Sequence, residues 1–450
     1  MKRKIVVTTL LLGWATVSVA ADTPDPTFSF PINIDHVWVL LSAALVFFMQ
    51  AGFKAFEVGM VRHEHGNAVA IKNIIDWIIG SLIFLFLGFG VMFGKSSYGI
   101  IGTDLFFGMG IQDNPDGSPL GSIFFLFQIA FATTALTIVS GAMSERTGFI
   151  PYMTASALVA LLIYPVFGHW AWGNLFYADN PAWLADLGFI DFAGSTVVHS
   201  IGAWVALVGI WKIGPRLGRF DENGNPVAFK ASSYAYSVMG LLILWLGWWG
   251  FNGGSQLALD GAVGEIILNT NIAGAAAGLV AFFHCYWFQK REDLYPKFLG
   301  GIIGGLVAIT ACCSMVSHLG ALAVGLTAGL IHNYAYDLIL YKCKLDDPVG
   351  AIPVHGFCGV WGTLCVALFG QLSPETSRLT QFGIQLLGCG VAFGFTTIVS
   401  YVMFSVLEKT VGLRVSPEEE KTGIIIGGEV AAEEEEEIGM SEAELLELMK

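Results

Sequence analysis

Two histidines stand at the ends of apolar segments that share one pattern. Residues 191–199 are Asp-Phe-Ala-Gly-Ser-Thr-Val-Val-His and residues 347–355 are Asp-Pro-Val-Gly-Ala-Ile-Pro-Val-His, so Asp, Gly, Val and His occupy the same four offsets. Imidazole donates or accepts hydrogen bonds and changes charge near neutral pH. A matched pair, His199 and His355, could therefore relay a proton or accept a hydrogen bond from a small polar solute. A single buried histidine bonded to a backbone carbonyl is the commoner event, but the matched repeat favours function.

The composition is that of a membrane protein. Of the 450 residues, 55% are hydrophobic and only 13% are charged, against roughly 25% charged in ordinary globular domains. The apolar runs are each near the ~20 residues that cross a bilayer as a helix, and strand-like alternation is absent. The net charge of −14 comes largely from the tail after Arg414, so it does not imply nucleic acid.

The chain offers little for catalysis. The seven cysteines lie mostly in apolar runs without metal-ligand spacing, which favours a role as small buried hydrophobes. No hydrolytic constellation, phosphate-binding loop or metal motif is present in the sequence. We therefore expect neither an enzyme nor a bound cofactor.

The N-terminus has the pattern of a cleavable signal peptide. Lys2, Arg3 and Lys4 precede an apolar run and then small residues, which predicts a signal peptide over residues 1–21. The alternative is one extra short helix, but the run is brief and a proline-broken polar stretch follows it. Residues 22–33 would then form a short extracytoplasmic N-terminus.

Eleven membrane spans are predicted in the mature chain. They cover about 34–61, 67–94, 119–142, 149–172, 190–212, 231–252, 261–288, 297–315, 318–341, 349–371 and 379–408. Basic residues fall in alternate loops, which by the positive-inside rule face the cytoplasm. They are Arg62, Arg146, Lys212, Arg216, Arg219, Lys230, Lys290, Arg291, Lys297, Lys342 and Lys344. The sequence thus predicts an all-α protein of the cell's inner membrane, with its N-terminus outside and its C-terminus inside.

The repeat and the spans together predict a geometry. His199 falls in the fifth span and His355 in the tenth, so each belongs to the last helix of a five-helix block. Because five is odd, the two blocks are inverted relative to each other, and a final helix follows them. Inverted repeats of this kind hold substrate near the bilayer midplane, between the halves. Asp191 and Asp347 would begin their helices, where a carboxylate has either a capping or a functional role.

Four motifs in order carry a family resemblance. They are residues 191–199, Gly-Trp-Trp-Gly-Phe-Asn-Gly-Gly-Ser at 247–255, Val-His-Gly-Phe-Cys-Gly at 354–359 and Val-Gly-Leu-Arg-Val at 411–415. The chain resembles the ammonium transporter, methylammonium permease and Rhesus family, on its bacterial ammonium transporter branch, over about residues 34–420. The resemblance implies a transporter domain at 34–410, a cytoplasmic acidic tail at 411–450 and a channel for ammonium or ammonia.

The resemblance also implies residue roles. Phe131 and Phe251 match the two stacked phenylalanines that close the outer end of each pore, and His199 and His355 match the twin histidines below them. An aromatic face attracts a cation by up to ~2 kcal/mol when desolvated. An external ammonium site is implied at Trp172, Ser255, Phe127 and Asp191, where Asp191 has mainly a structural part.

The family implies partners as well. Its members form homotrimers with one pore per subunit, something that hydrophobic periodicity cannot show. Relatives are regulated by a PII-type protein at the tail, where a Gly-Leu-Asp stretch leads into His-Gly-Glu. Here residues 423–429 are Gly-Ile-Ile-Ile-Gly-Gly-Glu, which weakens the expectation of such a regulator. The acidic end, residues 433–450, is either an amphipathic docking helix or a solvated tail.

Two charge pairs stand inside predicted spans. Lys54 and Glu57 are at i and i+3 in the first span, and Lys72 and Asp76 are at i and i+4 in the second. Such spacing brings side chains together on one helix face, so each pair is expected to interact. A structural pairing toward the bundle interior or a subunit interface is favoured over a second ion path.

Three functions from different classes remain open on the sequence. The first is an ammonium transporter or channel, and the second is an ammonium sensor of the same fold that signals through its tail. The third is an electron carrier in which His199 and His355 ligate haem. We favour the transporter, because aromatic residues surround the histidines and the four motifs occur together.

Overall fold

The computed structural model describes residues 33–111 and 120–426. In this part of the chain the regular secondary structure is helical, apart from two isolated β-bridges. The predicted all-α membrane fold is confirmed. The predicted signal peptide, nearly all of the predicted N-terminal stretch and the acidic end of the tail lie outside the described residues.

Helices occupy all eleven predicted span positions. In chain order they are α1 Ile34–Met60, α2 His63–Phe93, α3 Gly121–Ala142, α4 Phe149–Trp172, α5 Ser195–Ile213, α6 Tyr234–Gly254, α7 Gly261–Phe288, α8 Leu294–Ile309, α9 His318–Asp337, α10 Ile352–Phe369 and α11 Arg378–Thr410. Among the described residues, nine of these helices are long and apolar enough to cross a membrane. The other two are α8 and α9, and their crossing stays a prediction.

The two histidine-bearing helices begin a few residues later than the sequence analysis placed them. The fifth span was predicted from residue 190 and the tenth from 349, whereas α5 begins at Ser195 and α10 at Ile352. Gly194 has φ +112° and Gly350 has φ +73°. These left-handed conformations favour glycine and interrupt the helical backbone, so each helix starts just after its glycine.

The two halves meet along their first helices, α1 and α6. A Cβ added at Gly240 of α6 would lie 2.3 Å from the backbone nitrogen of Phe56 and 2.5 Å from the carbonyl oxygen of Gly52 on α1. The helix backbones are therefore in direct contact, which small residues permit in membrane helix bundles. This contact fixes α1, whose residues Phe53, Phe56 and Glu57 share a cavity with His355 of α10.

Buried ion pairs close one end of the bundle, which we call the arginine end. Arg216 pairs with Glu145 and, through Nε at 2.8 Å, with Asp346, while Arg146 donates to the Asp346 carbonyl at 2.7 Å. Burial alone would raise the pKa of Glu145, but Arg216 and Arg62 outweigh it and hold that pKa below its usual value. The sequence analysis treated these arginines as loop charges. It missed that Arg146 is 0% exposed and Arg216 is 6% exposed.

The start of the tail folds back onto the arginine end. A short helix, α12 Pro417–Thr422, places Glu420 so that its carboxylate accepts from Arg414 at 2.9 Å and from the Leu217 N–H at 2.6 Å. The Glu420 carbonyl accepts from Arg62 Nη2 at 3.0 Å. The first part of the predicted tail, up to residue 426, is thus joined to the transmembrane bundle by buried polar contacts.

Candidate functional site

A π-helical turn carries each histidine. His199 lies in the turn Ser195–Ser200 at the start of α5, and His355 lies in Ile352–Phe357 at the start of α10. Such turns widen the helix by one residue and are common at functional sites. The two turns meet inside the bundle, with the Nδ1 atoms of the two buried histidines 3.2 Å apart.

Asp191 fixes the start of α5. Its Oδ1 accepts the N–H groups of Gly194 and Ser195 at 2.9 Å, and its Oδ2 accepts those of Thr196 and Val197 at 2.8 Å. These donors are the groups that a helix start leaves unpaired. The carboxylate is 5% exposed and fully engaged as a cap.

The predicted external-site residues line one pocket, which we call the aromatic pocket. Its volume is about 330 Å³, and Phe127, Phe131, Trp172, Asp191 and Ser255 are among its walls. The Trp172 indole N–H donates to the Asp191 carbonyl at 2.7 Å, which orients the ring. The Ser255 hydroxyl donates to the Phe251 carbonyl at 2.8 Å, so its oxygen keeps free lone pairs for a donor in the pocket.

The sequence analysis missed Gln128 as a wall of this pocket. Gln128 is 3% exposed, and its Oε1 has no hydrogen-bond partner within the described part of the chain. A buried amide oxygen without a partner is costly unless a ligand or water supplies a donor. The signal was its place directly after Phe127, in a stretch where the motif analysis considered only the aromatic residues.

A pair of phenylalanines lies at the floor of the aromatic pocket, with Phe131 as one of its walls and Phe251 behind that ring. The rings of Phe131 and Phe251 stack with centroids 4.0 Å apart and an interplanar angle of 17°, and both side chains are at most 1% exposed. Phe127 packs on Phe131 at 4.6 Å. An apolar constriction of this kind resists the passage of hydrated ions.

The histidine pair continues the stack below the phenylalanines. The His199 ring lies 5.4 Å from Phe251 and 5.2 Å from His355, with interplanar angles of 27° and 20°. Trp248 flanks His199 at 5.2 Å and is itself held by an indole hydrogen bond to Thr310 at 2.9 Å. Four rings, from Phe131 to His355, are thus aligned in series.

The hydrogen bonding of the pair limits its protonation. A bond between two Nδ1 atoms needs one donor and one acceptor, so at least one imidazole is neutral. His199 Nε2 has no hydrogen-bond partner within the described residues, although His199 is 0% exposed. That nitrogen is therefore available to a small solute.

Beyond His355 a small cavity continues the line of rings. Its volume is about 20 Å³, and its walls include His355, Phe56, Val349 and Glu57. We call it the Glu57 cavity. The predicted pairing of Lys54 with Glu57 is wrong: Lys54 is exposed, whereas Glu57 is 2% exposed and bonds Asn73 instead. The spacing would allow a pair, but Lys54 lies at the exposed edge of that face while Glu57 is drawn into the bundle by its hydrogen bond with Asn73 of α2.

The predicted pair in α2 is also not a direct ion pair. Lys72 donates to the Thr147 carbonyl at 2.6 Å, while Asp76 accepts from Tyr152 at 2.6 Å and from Ser156 at 2.8 Å. Both side chains are buried in the bundle. Their partners come from α4 and the loop before it, so tertiary contacts replace the pairing expected along the helix.

The histidine pair does not fit haem ligation. Axial ligands bind from opposite faces of the macrocycle, which would have to lie between the two rings. Here the rings are in direct hydrogen-bond contact, with their centroids only 5.2 Å apart, which leaves no space for a macrocycle between them. Within the described residues, no group of three or more His, Cys, Asp or Glu side chains is placed to hold a metal ion.

Comparison with known proteins identifies the family of the chain. A model of the Ammonium Transporter Family matches residues 37–427. Ammonium transporter Amt2 of Archaeoglobus fulgidus is 40% identical over 417 residues, which cover 89% of this chain and 88% of that protein.

Solved structures share the fold. One described as Sensor Amt Protein has a TM-score of 0.86 and 45% identity, and the match covers 88% of this chain and 98% of that one. Mep2 of Saccharomyces cerevisiae has a TM-score of 0.77 and 25% identity, with coverage of 85% and 88%. The chain belongs to the ammonium transporter family.

Proposed function

We propose that the protein carries ammonium nitrogen across the membrane through one path per subunit, from the aromatic pocket past the histidine pair. The observation that carries this proposal is the unbroken series of rings from Phe131 through Phe251 and His199 to His355. The series starts at the floor of a pocket and ends at a second cavity. A path lined in this way suits a small, nearly neutral solute.

The aromatic pocket recruits ammonium. Trp172 and Phe127 offer ring faces to the cation, which is worth up to ~2 kcal/mol when the site is desolvated. The oxygens of Ser255 and Gln128 accept its N–H groups, since the Ser255 proton is already donated to the Phe251 carbonyl and the Gln128 Oε1 has no partner among the described residues. Asp191 acts indirectly, because its oxygens are occupied by the helix start.

The phenylalanine gate and the histidines select ammonia. Moving a full charge into a low-dielectric pore costs several kcal/mol, whereas ammonia is far less costly to desolvate. Ammonium therefore loses a proton at or below the gate, and ammonia passes the histidines, where His199 Nε2 accepts a hydrogen bond from it. The proton either stays behind or crosses separately from the ammonia.

The family resemblance and the charges support an orientation and an assembly. We place the aromatic pocket outside an inner membrane and the arginine end in the cytoplasm, in agreement with the positive-inside rule. We propose a homotrimer with one path in each subunit. A PII-type regulator would meet the arginine end, where Glu420 ties the tail to Arg414 and Arg62.

Transport by purified protein in liposomes tests the proposal. Ammonium-evoked current on a solid-supported membrane and the change in internal pH are recorded for wild type and for His199→Ala combined with His355→Ala. We expect a saturable response in wild type that is lost, or loses selectivity over potassium, in the double variant. No current and no internal pH change in wild type would contradict the proposal.

A second candidate function is ammonium sensing. It is favoured by the 45% identity to the chain described as Sensor Amt Protein, of which 98% is covered. Here binding in the aromatic pocket would shift the tail held by Glu420 instead of passing substrate. Ammonium binding without transport, together with an ammonium-dependent change in protease accessibility of residues 411–426, would identify the sensor.

A further inference from the structure

We propose that Glu57 accepts the proton that the histidine pair passes on, on the side of the pair away from the aromatic pocket. The inference rests on the proposed transport function and adds a route for the charge. It starts from the Glu57 cavity, which His355 and Glu57 line together.

The size of the cavity suits one relay molecule. A water needs about 10–15 Å³ of space for its centre, and the Glu57 cavity offers about 20 Å³. Its other walls, Phe53, Phe56, Ile138, Val349 and Val354 among them, are apolar. A single water or ammonia there would have His355 and Glu57 as its polar partners.

Glu57 is a buried acid that forms no ion pair with a cationic side chain in the described part of the chain. It is 2% exposed, and its carboxylate accepts from Asn73 Nδ2 at 2.9 Å. A buried ionisable side chain in a membrane helix is costly and is a functional candidate by default. The cost falls when the carboxylate takes up a proton, so the site favours the step we assign to it.

The surroundings of Glu57 are polar but not fully satisfied. Asn73 also donates to Ser140 Oγ at 3.3 Å and to the Val69 carbonyl, while its own Oδ1 has no partner in the described part of the chain. Gly141 leaves room for the carboxyl, since a Cβ there would come within 3.1 Å of Glu57 Cδ. The Asn73 Oδ1, unpaired within the described residues, could therefore accept a hydrogen bond from a water or from the protonated carboxyl of Glu57.

Other buried acids suit this role less well. Asp76 accepts from Tyr152 and Ser156 and does not line the cavity. The titratable groups around Glu57 are Lys72 and Asp76 on α2, which interact with it electrostatically, and His355 on α10, which shares the cavity. Of these, only the histidine is placed on the cavity to hand over a proton.

The proton balance is simple. An N–H bond of ammonium breaks at the histidine pair, and its electron pair stays on the nitrogen, which continues as ammonia. His199 Nε2 takes up this proton while the Nδ1 proton of His199 moves to Nδ1 of His355, and the Nε2 proton of His355, by way of the molecule in the cavity, forms an O–H bond on Glu57. Both imidazoles end neutral in their other tautomers and return to the first before the next proton. The carboxyl then releases the proton to water at the arginine end, and Glu57 returns to its ionised form.

The test measures charge and ammonia flux on the same liposomes. Current gives the charge, and [15N]ammonium uptake gives the nitrogen. Glu57→Gln keeps the size of the side chain and an acceptor for Asn73 but cannot take up the proton. We expect the ratio of charge to nitrogen to fall by about tenfold or more with nitrogen uptake retained, because loss of a proton acceptor typically costs 10²–10⁴ in transfer rate.

Controls separate this role from a structural one. Lys54→Gln changes a charge on the same helix one turn away but on the exposed face, and should keep the wild-type ratio. Glu57→Asp retains a carboxyl and should keep part of the charge. Glu57→Met supplies a second side chain that cannot titrate, so a folding failure of the Gln variant leaves the test in place.

The outcomes are distinct. An unchanged ratio in Glu57→Gln or Glu57→Met, whether or not both fluxes fall together, would overturn the inference. Nitrogen uptake without current in wild type would overturn it as well and leave the proposed pore standing. Neither uptake nor current in wild type would overturn the proposed function itself.

Discussion

The segments 191–199 and 347–355 share a backbone design but differ in how they are held. In both, an aspartate precedes a glycine with positive φ, and a π-helical turn then presents a histidine. Asp191 accepts four backbone N–H groups, whereas Asp347 accepts the Ile352 N–H at 2.8 Å and its Oδ1 has no partner in the described part of the chain.

The residue four positions after each aspartate adds to the difference in hydrogen bonding between the two segments. Ser195 bonds the Val307 carbonyl and the Ala311 N–H, both at 2.7 Å, but Ala351 at the equivalent position can make no such bond. The first segment is therefore fixed by polar contacts beside the aromatic pocket, and the second makes fewer such contacts within its own residues and lies beside the Glu57 cavity. The symmetry provides the histidine pair, and in the proposed function the asymmetry would distinguish an end that binds ammonium from an end that releases ammonia.

The largest difference in stability loss between the two segments should appear when their capping aspartates are replaced. Asp191→Ala leaves four buried N–H groups without their acceptor, each worth about 1–3 kcal/mol, so we expect a loss of more than about 3 kcal/mol. Asp347→Ala removes fewer bonds and should cost about 1–2 kcal/mol. Unfolding temperatures in detergent measure both. Equal losses would contradict the asymmetry of the caps.

The matched glycines should also respond unequally. A Cβ at Gly194 would lie 2.6 Å from Val198 Cγ2 and 3.1 Å from the Trp172 ring, whereas at Gly350 the nearest atom, on Tyr336, is 3.9 Å away. Both positions have a left-handed backbone, which alone costs an alanine roughly 1 kcal/mol. Gly194→Ala should therefore lower the unfolding temperature more than Gly350→Ala and should also weaken ammonium binding, because it pushes on Trp172.

Substitution in the aromatic pocket should affect binding without closing the path. Trp172→Leu removes a ring face worth up to ~2 kcal/mol and the hydrogen bond to the Asp191 carbonyl. We expect the ammonium concentration for half-maximal current to rise about tenfold, with the maximal current largely kept. Trp211→Leu, at an exposed site on α5, is the control and should leave the concentration dependence unchanged.

Acid should weaken the second segment more than the first. Asp346 directly precedes it, where the first segment has Ile190; burial opposes ionisation, but Arg216 and Arg146 hold the pKa of Asp346 well below its usual value. Because the pKa of Asp346 is lower in the folded protein than in the unfolded chain, its ion pairs stabilise the fold fully above the unfolded pKa of 3.8. That stabilisation is lost as pH falls through the folded-state pKa.

The effect of acid can be measured as the slope of the unfolding temperature against pH. We expect the unfolding temperature to fall as pH decreases below about 4, with a smaller slope in Asp346→Asn. Glu375→Gln, which changes an exposed carboxylate, should keep the wild-type slope. A slope that is identical in Asp346→Asn would show that this ion pair does not couple acid to stability.

The sequence was informative where periodicity and local chemistry decide the structure. The helix positions and the repeat follow from apolar run lengths and motif spacing, whereas the residues of the aromatic pocket were implied by the family resemblance. The contacts between distant parts of the chain did not follow. Glu57 bonds Asn73 of α2 instead of Lys54, and Arg216 joins Glu145 to Asp346, because the folded bundle determines which buried groups meet.

The central claim is that the two histidines act in series on one path. The most direct test compares His199→Ala, His355→Ala and the double variant by their ammonium and potassium currents in liposomes. The account predicts that each single change alters the current or its selectivity for ammonium as strongly as the double change, since a series path fails at either step. If one single variant kept the wild-type current and selectivity, the series path through the histidine pair would be contradicted.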